Sequence, residues 1–133
     1  MRFRLSAAFV LALAGAVSIS CGGIVDPSQN QVESFSGTVT PGGFSVQTFS
    51  STKTGEIAVK MVTLTPASVP AVLITWVGAG DGSCNGQTFG QGIATPASTP
   101  ISTQILSGSY CLILSNYVAQ TVTANYSLTV SHP

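Results

Sequence analysis

Residues 56–65 read EIAVKMVTLT, with Ile57, Val59 and Met61 at one set of alternating positions and Glu56, Ala58 and Lys60 at the other. A strand sends successive side chains to opposite faces, so this period of two with one apolar face predicts a half-buried strand. Similar short segments, rich in β-branched and aromatic residues, recur between Gly and Pro clusters. Residues 32–39 form the first and end at the turn TPGG, Thr40 to Gly43. Residues 44–49 follow, and Thr54-Gly55 turns the chain into 56–65. Residues 71–77, AVLITWV, are apolar at both sets of positions, which predicts a central strand covered on both faces. GAGDGSCNG, 78–86, is a loop by its glycines, and 87–100 reads as irregular with one short strand near 87–89. Residues 101–106, 110–115 and 126–131 complete the set. The pattern predicts an all-β fold, a small antiparallel β-sandwich of jelly-roll-like form. TPASVP at 65–70 recurs as TPASTP at 95–100, but the flanks do not align, so the echo is read as shared turn chemistry rather than a repeat.

The first 20 residues break this pattern. Arg2 and Arg4 precede a nearly uninterrupted apolar run from Leu5 to Val17, and small residues follow. Thirteen residues are too few for a spanning helix, which needs ~20, and the arrangement is that of a secretory signal peptide over 1–20. Ser18 and Ser20 suit ordinary signal peptidase, giving a secreted or periplasmic protein. Ile19, Ser20 and Cys21 also resemble a bacterial lipobox, with Ser18 where Leu is usual, and this makes Cys21 the lipidation site. Cysteine parity favours the second reading. Of Cys21, Cys84 and Cys111, acylation of the first leaves the other two as a disulfide pair in an oxidising compartment. Residues 21–31, rich in Gly, Pro and polar side chains, read as a lipid-anchored flexible tether reaching at most ~35 Å over ten residues, and 32–133 as the β-sandwich. Gly22 is not the Asp that resembles an inner-membrane retention signal, so the outer membrane is favoured weakly.

Charge narrows the partners. Without the signal the chain has Lys53 and Lys60 against Asp26, Glu33, Glu56 and Asp81, a formal net of −2. There is no basic patch for nucleic acid. Four widely spaced carboxylates and one histidine, His132, give no acid–base pair, nucleophile elbow or zinc-ligand spacing, so neither enzyme activity nor a cofactor is expected. His132, the penultimate residue, reads as a frayed end. DGSCNG begins like a calcium loop, with Asp81, Ser83 and Asn85 at the first three ligand positions, but the twelfth position is Gly92, not a bidentate Glu. This is a weak calcium candidate, and a glycine-rich turn is the better reading. Trp76, Tyr110 and Tyr126 read as core, which leaves Tyr117 in the loop SNYVAQ as the one exposed aromatic for ligand binding.

The last third, ISTQILSGSYCLILSNYVAQTVTANYSLTVS, resembles the C-terminal part of the bacterial pre-peptidase C-terminal domain family. The matching parts are Gly108-Ser109-Tyr110, the aliphatic strand through Leu112 to Leu114, and the closing Tyr126-Ser127-Leu128-Thr129-Val130. The upstream TPGGFSVQTFSSTKTGEIAVKMV is similar to that family's opening hairpin, so the resemblance spans 32–131. It implies a jelly-roll-like sandwich that accompanies exported proteins and does no catalysis. Many members carry an acidic Asp-x-Asp on the central strand. Here that strand reads LITW, so the resemblance carries over no calcium role. The function expected is that of a non-catalytic cell-envelope lipoprotein, a surface or periplasmic binding or accessory module that meets an envelope protein or a glycan. The alternatives are a carbohydrate-binding module and a purely structural envelope domain.

Overall fold

Apolar alternation and turn chemistry place eight strands along the chain: β1 (Gln31–Val39), β2 (Phe44–Ser51), β3 (Gly55–Thr65), β4 (Val72–Gly78), β5 (Thr88–Ala94), β6 (Ile101–Ile105), β7 (Gly108–Asn116) and β8 (Ala124–His132). The structure is a computed structural model and describes residues 26–117 and 119–133. The signal peptide expected at 1–20, the lipidation expected at Cys21 and the start of the expected tether lie outside the described residues. No helix among the described residues is long and apolar enough to cross a membrane.

The strands form two antiparallel sheets in the orders β1-β8-β3-β6 and β2-β7-β4-β5. Every connection except β4–β5 crosses from one sheet to the other, which is the jelly-roll arrangement of a sandwich. Ile57, Val59 and Met61 face inward with Val72, Ile74, Leu112 and Leu128, all fully buried, so the alternation in β3 marks the core face as expected. β3 bulges between Met61 and Thr63, where the register with β8 shifts.

Three segments differ from the sequence reading. Residues 26–31 are not plain tether: Asp26 caps a 3-10 turn, Pro27–Gln29, and Gln31 already belongs to β1. Asn30 ties this lead-in down by donating to the Glu56 carbonyl at 2.9 Å. β5 runs to Ala94, well past the short strand expected. Its glycines are the reason the pattern hid it. Gly90 pairs with Trp76, whose ring covers it, and a Cβ on Gly92 would run into the Pro100 carbonyl. The two TPAS echoes also close differently. In the first, Val69 donates to Pro66. In the second, Ser98 donates to Thr95 and Ala97 takes a left-handed φ of 63°, the position a type II turn reserves for Gly.

The two ends of the sandwich are unlike. Gln31 pairs with His132, and Ser51 donates to the Pro133 carbonyl at 3.1 Å, so the start of β1 and the C-terminus share one end. The β4–β5 loop lies there too, since Gly78 pairs with Tyr110 near the start of β7. The opposite end carries the loops β1–β2, β3–β4, β5–β6 and β7–β8. It is knit by Asn116 donating to the Thr40 carbonyl at 3.0 Å and Gln120 donating to the Ala71 carbonyl at 2.9 Å.

Candidate functional site

The outward-facing side chains of the two sheets differ in chemistry. On the first sheet, register puts Ser34 beside Thr129 and Lys60, and Ser36 beside Ser127 and Thr63. Thr63 and Ser127 hydrogen-bond at 2.6 Å. This face is mostly hydroxyls, with Val32 and Val62 as its large exposed apolar side chains. On the second sheet, the outward positions of β2 are Phe44, Val46, Thr48 and Ser50, because Phe49 and Ser51 turn inward and are buried. Phe44 lies in one cross-strand row with Ser115, Leu73 and Ile93, and Val46 in the next with Ile113, Thr75 and Gln91. Phe44 is 70% exposed, Ile93 45% and Val46 37%, a cluster of apolar side chains in water on one flat face. Tyr117, 48% exposed, extends the outward positions of β7 at the same end as Phe44.

None of the charged side chains among the described residues stands on that face. Asp26 precedes β1, Glu33 is in β1, Glu56 and Lys60 are in β3, and Lys53 and Asp81 occupy loops at the end shared with the termini. With strands ~4.8 Å apart and same-face residues ~6.6 Å apart, the two rows, polar Ser115, Thr75 and Gln91 included, and Tyr117 cover on the order of 200–300 Å². What distinguishes this face is its lack of charge, since an apolar area of that size is no larger than an ordinary monomer exposes. It is well short of the ~800 Å² per partner of a stable complex.

The other sequence candidates fall into place around it. Trp76, Tyr110 and Tyr126 are buried, as read. Phe49 stacks on Tyr110 at 5.6 Å, Trp76 lies 5.4 Å from Tyr110, and Phe89 packs on both, forming an aromatic cluster at the end nearest the termini. Burial pushes the Tyr110 hydroxyl above its ordinary pKa, partly offset by its bond to the Leu106 carbonyl at 2.8 Å. His132 is not frayed. It is buried, 5.3 Å from the Phe49 ring, with Nε2 2.7 Å from Glu33 Oε1. Chain position suggested a loose end, but pairing of β8 with β1 through Gln31–His132 carries it inside.

Cys84 and Cys111 form a disulfide with Cα atoms 5.7 Å apart. Cys84 holds a left-handed φ of 57°, and its N–H donates to the Ala79 carbonyl at 3.1 Å. In the same loop the Asp81 carboxylate accepts from the Ser83 backbone N–H at 3.0 Å, and this bond holds its pKa below the usual value. Asp81 is the loop's one carboxylate, and no group of three or more His, Cys, Asp or Glu gathers among the described residues.

A shallow groove of about 200 Å³ runs along the seam of β5 and β6, lined by Phe89, Gln91, Pro100, Ser102 and Thr103. A second hollow of about 240 Å³, with Glu56 and Gln104, continues it past Ser102. Phe44, Phe89 and Ile93 were not legible as exposed, because an apolar residue in a strand reads as core. The one signal for β2 was that its apolar residues occupy both parities, Phe44 and Val46 against Phe49. Compared with models of known protein families the chain matches none, and it matches none of the curated proteins.

Proposed function

We propose that this chain is a non-catalytic lipoprotein of the bacterial cell envelope, tethered through Cys21, whose sandwich is a binding or accessory module for an envelope partner. The observation behind the binding role is the uncharged apolar face of Phe44, Val46, Leu73, Ile93 and Ile113 with Tyr117 at its rim, set against the hydroxyl face of the other sheet. Burying Phe44 alone is worth roughly 1.5–3 kcal/mol, so the patch suits a small or transient contact. The resemblance to the pre-peptidase C-terminal domain family agrees with an accessory role in exported proteins.

A photo-crosslinking residue at Tyr117 in the full chain, activated in intact cells, tests the reading, with the same residue at Thr129 on the hydroxyl face as control. The expected result is a discrete adduct from position 117 that Leu73→Ser weakens and position 129 lacks. Equal labelling from both positions, or none from either, overturns it. The carbohydrate-binding alternative has one observation of its own, the groove where half-exposed Phe89 meets Gln91, Ser102 and Thr103. Glycan-array binding abolished by Phe89→Ala and untouched by Leu73→Ser would move the function there.

A further inference from the structure

A sandwich with two open sheets has four edge strands, and proteins guard such edges with charges, prolines, bulges, shortness or a covering segment. Here the edges are β1, β6, β2 and β5. β1 carries Glu33, and the Gln47 amide donates to its Ser36 carbonyl at 3.3 Å. β5 is bulged where Phe89 interrupts its register with β4, and it contains Gly90 and Gly92. β6 is five residues long and starts directly after Pro100. β2 has none of these devices. It runs eight residues, FSVQTFSS, without charge or proline, and pairs with β7 in unbroken register from Phe44–Ser115 to Ser51–Gly108. Among the described residues no side chain hydrogen-bonds to the backbone of β2.

We propose that β2 pairs antiparallel with β2 of a second copy of this chain, joining the two β2-β7-β4-β5 sheets into one eight-stranded sheet. Three features favour a second copy as the occupant. An antiparallel pair of identical strands about a two-fold axis is self-complementary. β2 carries Phe44, Val46 and Thr48 on its outward face, and the two-fold keeps outward faces together, so a register centred on Val46 sets the Val46 side chains of the two copies beside each other and Phe44 of each beside Thr48 of the other. One patch of ~200–300 Å² is too small for a stable interface, whereas strand addition gains affinity from backbone hydrogen bonds along the edge. The formal net charge, 0 for the whole chain and −2 without residues 1–20, opposes the approach of two copies only weakly. This pairing shares Phe44 and Val46 with the docking face above, and the Thr48 crosslink separates the two, because a product of twice the chain mass reports the pairing and a Tyr117 adduct with a different protein reports the docking.

Native mass spectrometry and light scattering of the detergent-solubilised full chain test it. The wild type is expected as a dimer. Thr48→Lys, at an exposed outward position of β2, and separately Val46→Lys, are expected to raise the dimer dissociation constant at least tenfold, while Thr129→Lys on the hydroxyl face leaves it unchanged. Circular dichroism and the intact Cys84–Cys111 bridge report that each variant folds. A photo-crosslinker at Thr48 is expected to give a product of twice the chain mass. A monomer up to ~100 µM, a dimer indifferent to both lysines, or a Thr48 adduct only with a different protein each overturns the proposal.

Discussion

Position in the chain says little about position in the fold, and His132 shows why. It is one residue from the C-terminus, yet its ring is buried against Phe49 and its Nε2 meets Glu33. Ser51 closes the same corner by bonding both the Lys53 and Pro133 carbonyls. Truncation at this site removes buried contacts and the partner of Glu33, which is exposed enough to turn to water. His132→Ala is therefore expected to lower stability by roughly 2–3 kcal/mol, the range of a buried side chain plus one hydrogen bond. Urea denaturation of the two proteins checks it, and a loss below ~0.5 kcal/mol would return His132 to the status of a loose end. The inward side of β2 shows a second residue-scale limit on reading a sequence. Ser45 and Gln47 point into the sandwich because the Tyr126 hydroxyl, from the other sheet, hydrogen-bonds both at 2.7 Å. Polar residues inside and Phe44 outside invert the usual rule, and the cause lies 81 and 79 residues away in the chain.

Strand existence was legible wherever side-chain chemistry repeats along one face, as in β3, β4, β7 and β8. At β5 a short strand near 87–89 was legible and its extent to Ala94 was not, because Gly90 and Gly92 show no side-chain pattern, and at Gly92 the Pro100 segment fills the space a side chain would need. Which of two apolar faces is covered was not legible, because alternation gives parity and only the second sheet decides the side. The Cys84–Cys111 pairing was legible from parity alone, and its energetic role belongs to the elements it joins. It ties the β4–β5 loop to the outward side of β7, with 27 residues of sequence separation. Restricting the unfolded chain by a loop of that length is worth roughly 3–4 kcal/mol, a large share of the ~5–15 kcal/mol typical of a domain. Reduction by dithiothreitol is therefore expected to lower the stability measured in urea by about that amount, with Cys84→Ala/Cys111→Ala insensitive to reductant. Superimposed curves for oxidised and reduced protein would show that the bridge contributes nothing.

At the scale of the whole molecule, the two ends of the sandwich divide the work proposed for it. The chain enters β1 at the end that holds the C-terminus and the disulfide loop, only ten positions after Cys21. Phe44, Leu73, Ile93 and Tyr117 lie at the other end. A nine-residue strand such as β1 spans ~30 Å, so a chain held at Cys21 presents its apolar patch about that far beyond the end nearest the lipid. An antiparallel β2–β2 pair would bring the two copies together side by side with their entry ends reversed. Both tethers can then meet one membrane only if the dimer lies along it, within the ~35 Å that ten extended residues allow. Anchoring and pairing are thus coupled by length, and the anchor alone rests on Cys21 carrying the lipid. Cys21→Ala is expected to move the exported chain from the detergent phase to the aqueous phase on phase partitioning, while the β2-paired dimer persists in the aqueous fraction. If wild type and variant both partition to the aqueous phase, the anchor is absent and the sandwich is a freely secreted module, with no membrane to limit how two copies meet.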